Sequence, residues 1–181
     1  MRKTLKKLPP LSTLLFILFL FIFIAVKTSF LNTPRTQKPP VHHIENFKAL
    51  DSHGQEQSFH SLQKELTLVS FGASWCPACL KSMPSLEALH QQHKDKNFGI
   101  IYIANEQQLS DLKAFEKRFK PPYPMLWSHS KIQKNFGNPS AIPSYYLLDS
   151  KGVILSYSVG LIPKKEIEKA LELIDAKESL Y

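Results

Sequence analysis

The chain has two cysteines in 181 residues, Cys76 and Cys79, separated by Pro77-Ala78. A Cys-x-x-Cys spacing supports two chemistries. Such thiols can close into a disulfide across one turn and reopen by thiol–disulfide exchange, or they can supply half of a zinc site. His90 and His93 extend the second pattern to Cys-x2-Cys-x10-His-x2-His. Structural zinc needs four ligands closed around the ion, with histidines usually separated by about three to five residues. Here the histidines are closer together and lie on the same predicted helix as the cysteines, with no hairpin to fold them back. Redox chemistry is therefore the expectation, with no metal and no cofactor. Both cysteines are then available for exchange and none is left for a structural bridge.

The elements around the pair support this. Leu66, Leu68, Val69 and Phe71 form a short apolar run suited to a buried strand, and Gly72 and Ser74 break it. Leu80, Met83, Leu86 and Leu89 then recur at a helical interval. Strand, tight connection and helix place Cys76 at a helix N-terminus, where free N–H groups and the macrodipole favour a thiolate. Such an environment lowers a cysteine pKa from about 8.5 to roughly 3.5–7.5. Cys79, one turn on, is expected to be covered.

The residues Trp75-Cys76-Pro77-Ala78-Cys79, with Pro84 five residues further, resemble the thioredoxin superfamily. In that family a tryptophan precedes the first active-site cysteine and a helix-kinking proline follows the second at this distance. Phe47–Leu62, with a turn at Asp51-Ser52-His53-Gly54, is similar to the N-terminal β-hairpin of the TlpA/ResA/DsbE-like branch. Further along, Phe98–Ala104 reads as a strand and Gln107–Phe119 as a helix stopped by Pro121 and Pro122. Pro124–Trp127 reads as a short strand and Lys131–Phe136 as a short helix closed by Gly137. The thirty-nine residues from Ala104 to Pro143 exceed what thioredoxin needs there. The surplus looks like the central strand-plus-helix insertion of the same branch. Strands Ser144–Leu148 and Val153–Val159 and a final amphipathic helix Lys164–Ala176 complete an α/β, thioredoxin-like fold.

Pro143 opens an apolar strand, a place where a missing N–H is tolerated. The residues alone predict an ordinary trans bond. The resemblance implies a cis bond beside the cysteines, with the backbone of Ile142 pairing with an extended substrate segment. It further implies a substrate surface made by Trp75, Pro77, Ile142 and Pro143. Several positions depart from the family pattern. Ser70 stands where thioredoxin keeps a buried aspartate, and Ser82 where the branch often carries a glutamate. Gly72 replaces a common aromatic, and Ala78 replaces the usual proline. Glu106 and Glu87 are the available substitutes for the missing carboxylates, the second more in keeping with a solvated helix face.

The formal charge of +8 is unevenly placed. Residues 1–38 hold seven Lys/Arg and no acid, while the remainder is nearly neutral. That excludes an electrostatic footprint for nucleic acid. Residues 1–7 form a basic flank, and residues 8–26 are uncharged and rich in Leu, Ile and Phe. As a helix they would span roughly 28 Å, near the hydrocarbon thickness. The absence of a small-residue cleavage triplet favours an uncleaved signal anchor over a cleaved signal peptide. The basic flank then stays cytoplasmic. Residues 27–44 read as a proline-containing linker, whose His42-His43 pair is more in keeping with solvated chain than with a metal site, and 45–181 as the thioredoxin-like domain.

The expectation is a thiol–disulfide oxidoreductase held in the cell inner membrane by a single transmembrane helix, with its domain on the periplasmic side. It would reduce disulfides of a protein substrate, for example in cytochrome c-type biogenesis, and draw electrons from a membrane thiol donor. Two alternatives stay open. One is a disulfide-forming oxidase of DsbA-like activity. The other is a non-enzymatic copper or thiol chaperone, for which His129 is the candidate distal ligand.

Overall fold

The computed structural model describes residues 11–31, 39 and 41–178. The basic flank 1–7, residues 8–10 of the expected anchor, and linker positions 32–38 and 40 lie outside the described residues. The chain divides into two units, Met1–Thr33 and Pro34–Tyr181.

The first unit contains the helix α1, Leu11–Leu31, whose Leu15–Phe23 side chains are exposed. Among the described residues no helix is long and apolar enough to cross a membrane.

The second unit opens with β1 (Lys48–Leu50) and β2 (Glu56–Ser58), an antiparallel hairpin pairing Lys48 with Ser58 and Leu50 with Glu56. Asp51 shapes its turn by accepting hydrogen bonds from the His53 and Gln55 amides, both at 2.9 Å. One turn of helix, α2 (Phe59–Leu62), leads into β3 (Leu66–Gly72). There follow α3 (Pro77–Gln92), β4 (Phe98–Ala104), α4 (Leu109–Phe119), β5 (Met125–Trp127) and α5 (Ser130–Asn135). β6 (Ser144–Asp149), β7 (Ile154–Val159) and α6 (Lys164–Glu178) complete the elements of this unit, and residues 179–181 lie outside the described residues. The sheet order is β5-β4-β3-β6-β7, with β3 parallel to β4 and antiparallel to β6. This is the α/β thioredoxin-like arrangement expected, with the N-terminal hairpin and the strand-plus-helix insertion both present.

Alternation along the central strands divides the core. Leu66, Leu68, Ile100, Tyr102, Tyr145 and Leu147 face α3, α4 and α6. Val69, Phe71, Ile101, Ile103, Tyr146 and Leu148 face the hairpin, α2 and α5. Phe136, fully buried, packs edge-on against Phe47, Phe59, Phe71 and Tyr146 and so joins the insertion to the hairpin and the sheet.

Several boundaries differ from the sequence expectation by a residue or two, and three of the differences have a visible cause. α4 starts at Leu109 rather than Gln107, because the Asp111 carboxylate accepts from the Gln108 amide and fixes Gln108 as the cap. β7 starts at Ile154, since Val153 bridges to His43 and the β6–β7 register shifts at Leu147/Leu148. The stretch read as linker enters the packed body before residue 45. The Ile44 amide donates to the Gly152 carbonyl at 2.8 Å, and Ile44 is fully buried. Gly152 has φ +82°, and a Cβ there would lie 2.6 Å from the Ile44 carbonyl oxygen, so both the turn and the close approach require glycine.

Candidate functional site

β3 ends at Gly72, and the chain turns through Ala73-Ser74-Trp75 before α3 begins. Cys76 is the N-cap of α3, with extended backbone angles, and Pro77 occupies the first helical position. Proline suits that position because its missing N–H would have had no intrahelical partner. Where a serine or aspartate oxygen usually caps, the Cys76 sulfur accepts the Cys79 amide hydrogen at 3.1 Å. The two cysteines form a disulfide with Cα atoms 5.2 Å apart. Cys76 is 6% exposed and Cys79 1% exposed, so the first thiol is nearer the surface.

The Ile142–Pro143 bond is cis. It brings the Ile142 carbonyl oxygen within 3.9 Å of the Cys76 sulfur, and Ile142 packs against Ala73, Cys76 and Cys79. Pro143 is buried, and its carbonyl accepts from the Gly160 amide at 2.8 Å, which ties the loop to the end of β7. Trp75 is 62% exposed and Pro77 is also exposed. Trp75 and Pro77 thus flank the sulfur pair on the exposed side, Ile142 packs against it, and Pro143 follows Ile142 in the buried loop.

Glu106, just past β4, is buried at 7% exposure. Its carboxylate accepts from both the Ser74 amide and the Ser74 hydroxyl, the latter at 3.0 Å. Its carbonyl accepts from the Trp127 indole at 2.9 Å. Glu106 therefore fastens the loop that carries Trp75 and Cys76. A cleft of about 500 Å³ opens beside it, lined among others by Trp75, Glu106, Arg118 and Phe119. Glu87, the other candidate carboxylate, is half-buried on α3.

His93 lies 3.2 Å from Glu168 on α6 with its ring edge-on to Phe98, and the His90 ring meets Tyr123. Among the described residues no group of three or more His, Cys, Asp or Glu side chains could hold a metal. His129 is exposed at the N-cap of α5.

Near the cysteines the substituted positions Ser70 and Gly72 meet Tyr102 and Tyr145, two residues that sequence reasoning missed. Ser70 pairs in register with Tyr102 of β4 on one side and Tyr145 of β6 on the other. All three are buried. Above them, Gly72 makes room: a Cβ there would come 1.9 Å from the Tyr102 hydroxyl and 3.3 Å from Cys79 Cβ. Burial holds the Tyr102 phenol far above its ordinary value, with Tyr123, Tyr145 and Glu106 adding to the shift. Tyr145 is raised by burial too, opposed by the neighbouring Ser82 hydroxyl. Ser82 donates to the Cys79 carbonyl at 2.7 Å. In the sequence Tyr102 is one apolar residue of a strand, and only the Gly72 departure hinted at something filling its place.

A mixed parallel and antiparallel sheet, a Cys-x-x-Cys disulfide at a helix N-terminus and a cis-proline loop beside it define a thioredoxin-like protein. The chain matches the Redoxin family over residues 37–174 and belongs to it, on the ResA-like branch of the thioredoxin superfamily. It is 30% identical over 122 residues to the thioredoxin-like protein YneN of Bacillus subtilis, covering 66% of this chain and 71% of that one. It is 23% identical over 129 residues to the thiol-disulfide oxidoreductase ResA of Geobacillus kaustophilus, covering 71% and 74% of the two chains. In fold it is similar to the thioredoxin domain of a thiol-disulfide oxidoreductase from Bacteroides vulgatus. The TM-score is 0.64 at 19% identity, covering 75% of this chain and 99% of that one.

Proposed function

We infer that the chain is a thiol–disulfide oxidoreductase acting on disulfides of protein substrates through Cys76 and Cys79. One observation carries this reading. The Cys76 sulfur is the N-cap of α3 and accepts the Cys79 amide hydrogen, an arrangement that favours its thiolate. The ResA relative carries this activity in its name, which supports the reading.

In the reducing direction the Cys76 thiolate attacks one sulfur of a substrate disulfide. The substrate S–S bond breaks, one thiolate leaves and takes up a proton, and a Cys76–substrate disulfide remains. Cys79 then attacks the Cys76 sulfur, the mixed disulfide breaks, and the second substrate thiol is released. Two electrons pass to the substrate, and a thiol donor must return them to the oxidised pair. The substrate segment would pair in extended form with the Ile142 backbone, as an added strand would, and the 3.9 Å between the Ile142 carbonyl oxygen and the Cys76 sulfur supports this.

The reductant direction is our proposal, as is a place on the extracytoplasmic side of a membrane. The second rests on the uncharged residues 8–26 behind Arg2, Lys3, Lys6 and Lys7. As a helix, those residues would extend roughly 28 Å, near the hydrocarbon thickness. A tether keeps the domain beside a membrane thiol donor that could reset it. The cysteine pair of an apocytochrome c is the example of substrate that the family resemblance suggests. Pro77 argues the other way, because a better stabilised Cys76 thiolate makes the pair more oxidising. Equilibration with glutathione decides between them. A potential near that of thioredoxin, about −270 mV, supports the reductant, and one near DsbA, about −120 mV, overturns it.

A further inference from the structure

Resolution of the mixed disulfide requires Cys79, at 1% exposure, to lose its proton inside the protein. Burial in apolar surroundings raises a thiol pKa. A carboxylate next to Cys79 would serve, but Ser70 and Ser82 stand at the positions where one was expected, and Glu106 is engaged by Ser74. What the fold puts there is a set of neutral hydroxyls.

Ser70, Tyr102 and Tyr145 occupy one rung across β4-β3-β6. Strand alternation turns all three toward α3, on the face shared with Leu68, Ile100 and Leu147. The hydroxyls of Ser70 and Tyr102 are buried without a hydrogen-bond partner, as is that of Tyr123, whose ring stacks on Tyr102 at 6.5 Å. Buried polar groups are overwhelmingly paired in native proteins, and an exception calls for an explanation such as a catalytic role. The Tyr102 hydroxyl and Cys79 Cβ both lie within 3.3 Å of the same point above Gly72. The absence of a side chain at residue 72 is what admits the hydroxyl to the neighbourhood of the cysteine.

We propose that the Tyr102 hydroxyl is the hydrogen-bond donor to the Cys79 sulfur in the reduced enzyme, with Ser70 and Tyr145 beside it on the same rung. In the disulfide the Cys79 sulfur is bonded to Cys76. On reduction it becomes a thiol and then, as it attacks, a thiolate with lone pairs to offer. The hydroxyl stabilises that thiolate while the S–H proton departs. The Cys76–substrate bond breaks, the Cys76–Cys79 bond forms, and the leaving substrate thiolate takes up the proton. Tyr102 gains and loses nothing overall. Because burial keeps the phenol protonated, it remains a donor wherever the thiols titrate. The titratable groups facing this centre are Cys76 on α3, Tyr102 on β4 and Tyr145 on β6. Glu106 and Tyr123 act on Tyr102 at longer range, and Glu87 acts on Tyr123.

This inference rests on the exchange reading above, and its test separates the two. The probe is the full chain, reduced, reacting with a peptide disulfide. The rates of mixed-disulfide formation and of its resolution are followed by acid quench over a range of pH. For Tyr102→Phe, resolution should slow by about ten- to a hundredfold, the worth of one hydrogen bond to a charged group. Its pH midpoint should move up, while the formation step keeps its rate and midpoint. Ser70→Asp in the Tyr102→Phe chain, returning a carboxylate to the rung, should restore part of the resolution rate with a new, lower midpoint. A merely structural role for Tyr102 would not move the midpoint. A Tyr102→Phe chain that resolves with the unaltered rate and midpoint overturns the inference and leaves the exchange reading standing. An unsubstituted chain that forms no mixed disulfide overturns both.

Discussion

Glu106 holds Ser74 by two hydrogen bonds, one to its amide and one to its hydroxyl, although the two residues are 32 positions apart. This joins the end of β4 to the loop that presents Trp75 and Cys76. Charged acceptors of this kind contribute roughly 1.5–3 kcal/mol, and removing one leaves a buried donor unsatisfied. Glu106→Ala is therefore expected to lower stability by about 1–3 kcal/mol and to slow attack by Cys76, measured by urea unfolding and by single-turnover thiol exchange. Glu106→Gln should keep most of the stability, since one amide oxygen can still accept from Ser74.

Gly72 and Tyr102 form a fitted pair. Gly72→Ala would drive a Cβ to 1.9 Å from the Tyr102 hydroxyl and 2.7 Å from its ring carbon. Overpacking of this sort destabilises by about 1–3 kcal/mol. Tyr102→Phe removes the nearer clash, so Gly72→Ala should be less damaging in that background than alone. A double-mutant cycle by thermal unfolding measures the difference, and simple additivity would contradict the contact.

How much of this was readable in advance follows from sequence distance. Cys76 at a helix start rests on neighbours within a few positions, and the strand before it and the helix after it were visible as local periodicity. The hairpin and the insertion were legible as turn signals and segment lengths. Ser70, Tyr102 and Tyr145 were not, because their contact depends on β6 inserting antiparallel beside β3, an order that no local pattern encodes. Ser70 was visible as a missing aspartate, but its flanking tyrosines read as strand formers. In the sequence Glu106 is a spare carboxylate, whereas its binding of Ser74 depends on how β4 ends against the β3–α3 turn.

The hairpin turn carries a pH dependence. Burial opposes the Asp51 charge, and hydrogen bonds from the Gln55 amide, the Gln57 side chain and the His53 amide outweigh it, leaving its pKa below the ordinary 3.8. A depressed carboxylate contributes stability above the unfolded-state value and loses it as pH falls through the folded one. The gap in thermal midpoint between the unsubstituted chain and Asp51→Ala should be constant near neutrality and close below about pH 4. A gap that widens in acid would contradict this.

The anchor proposal has a direct readout. Mass spectrometry of the membrane fraction should find the chain with residues 8–26 intact. A product beginning near residue 30 and released from the membrane would refute anchoring while leaving export untouched.

Trapping tests the central claim most directly. Cys79→Ser, presented with a protein or peptide disulfide, should accumulate a covalent adduct at Cys76 that reductant releases. Cys76→Ser should accumulate none under the same conditions, because Cys79 is covered and lacks the helix N-cap position. Adducts on Cys79 in the Cys76→Ser chain, with none on Cys76 in the reciprocal variant, would contradict the assignment of the attacking thiol.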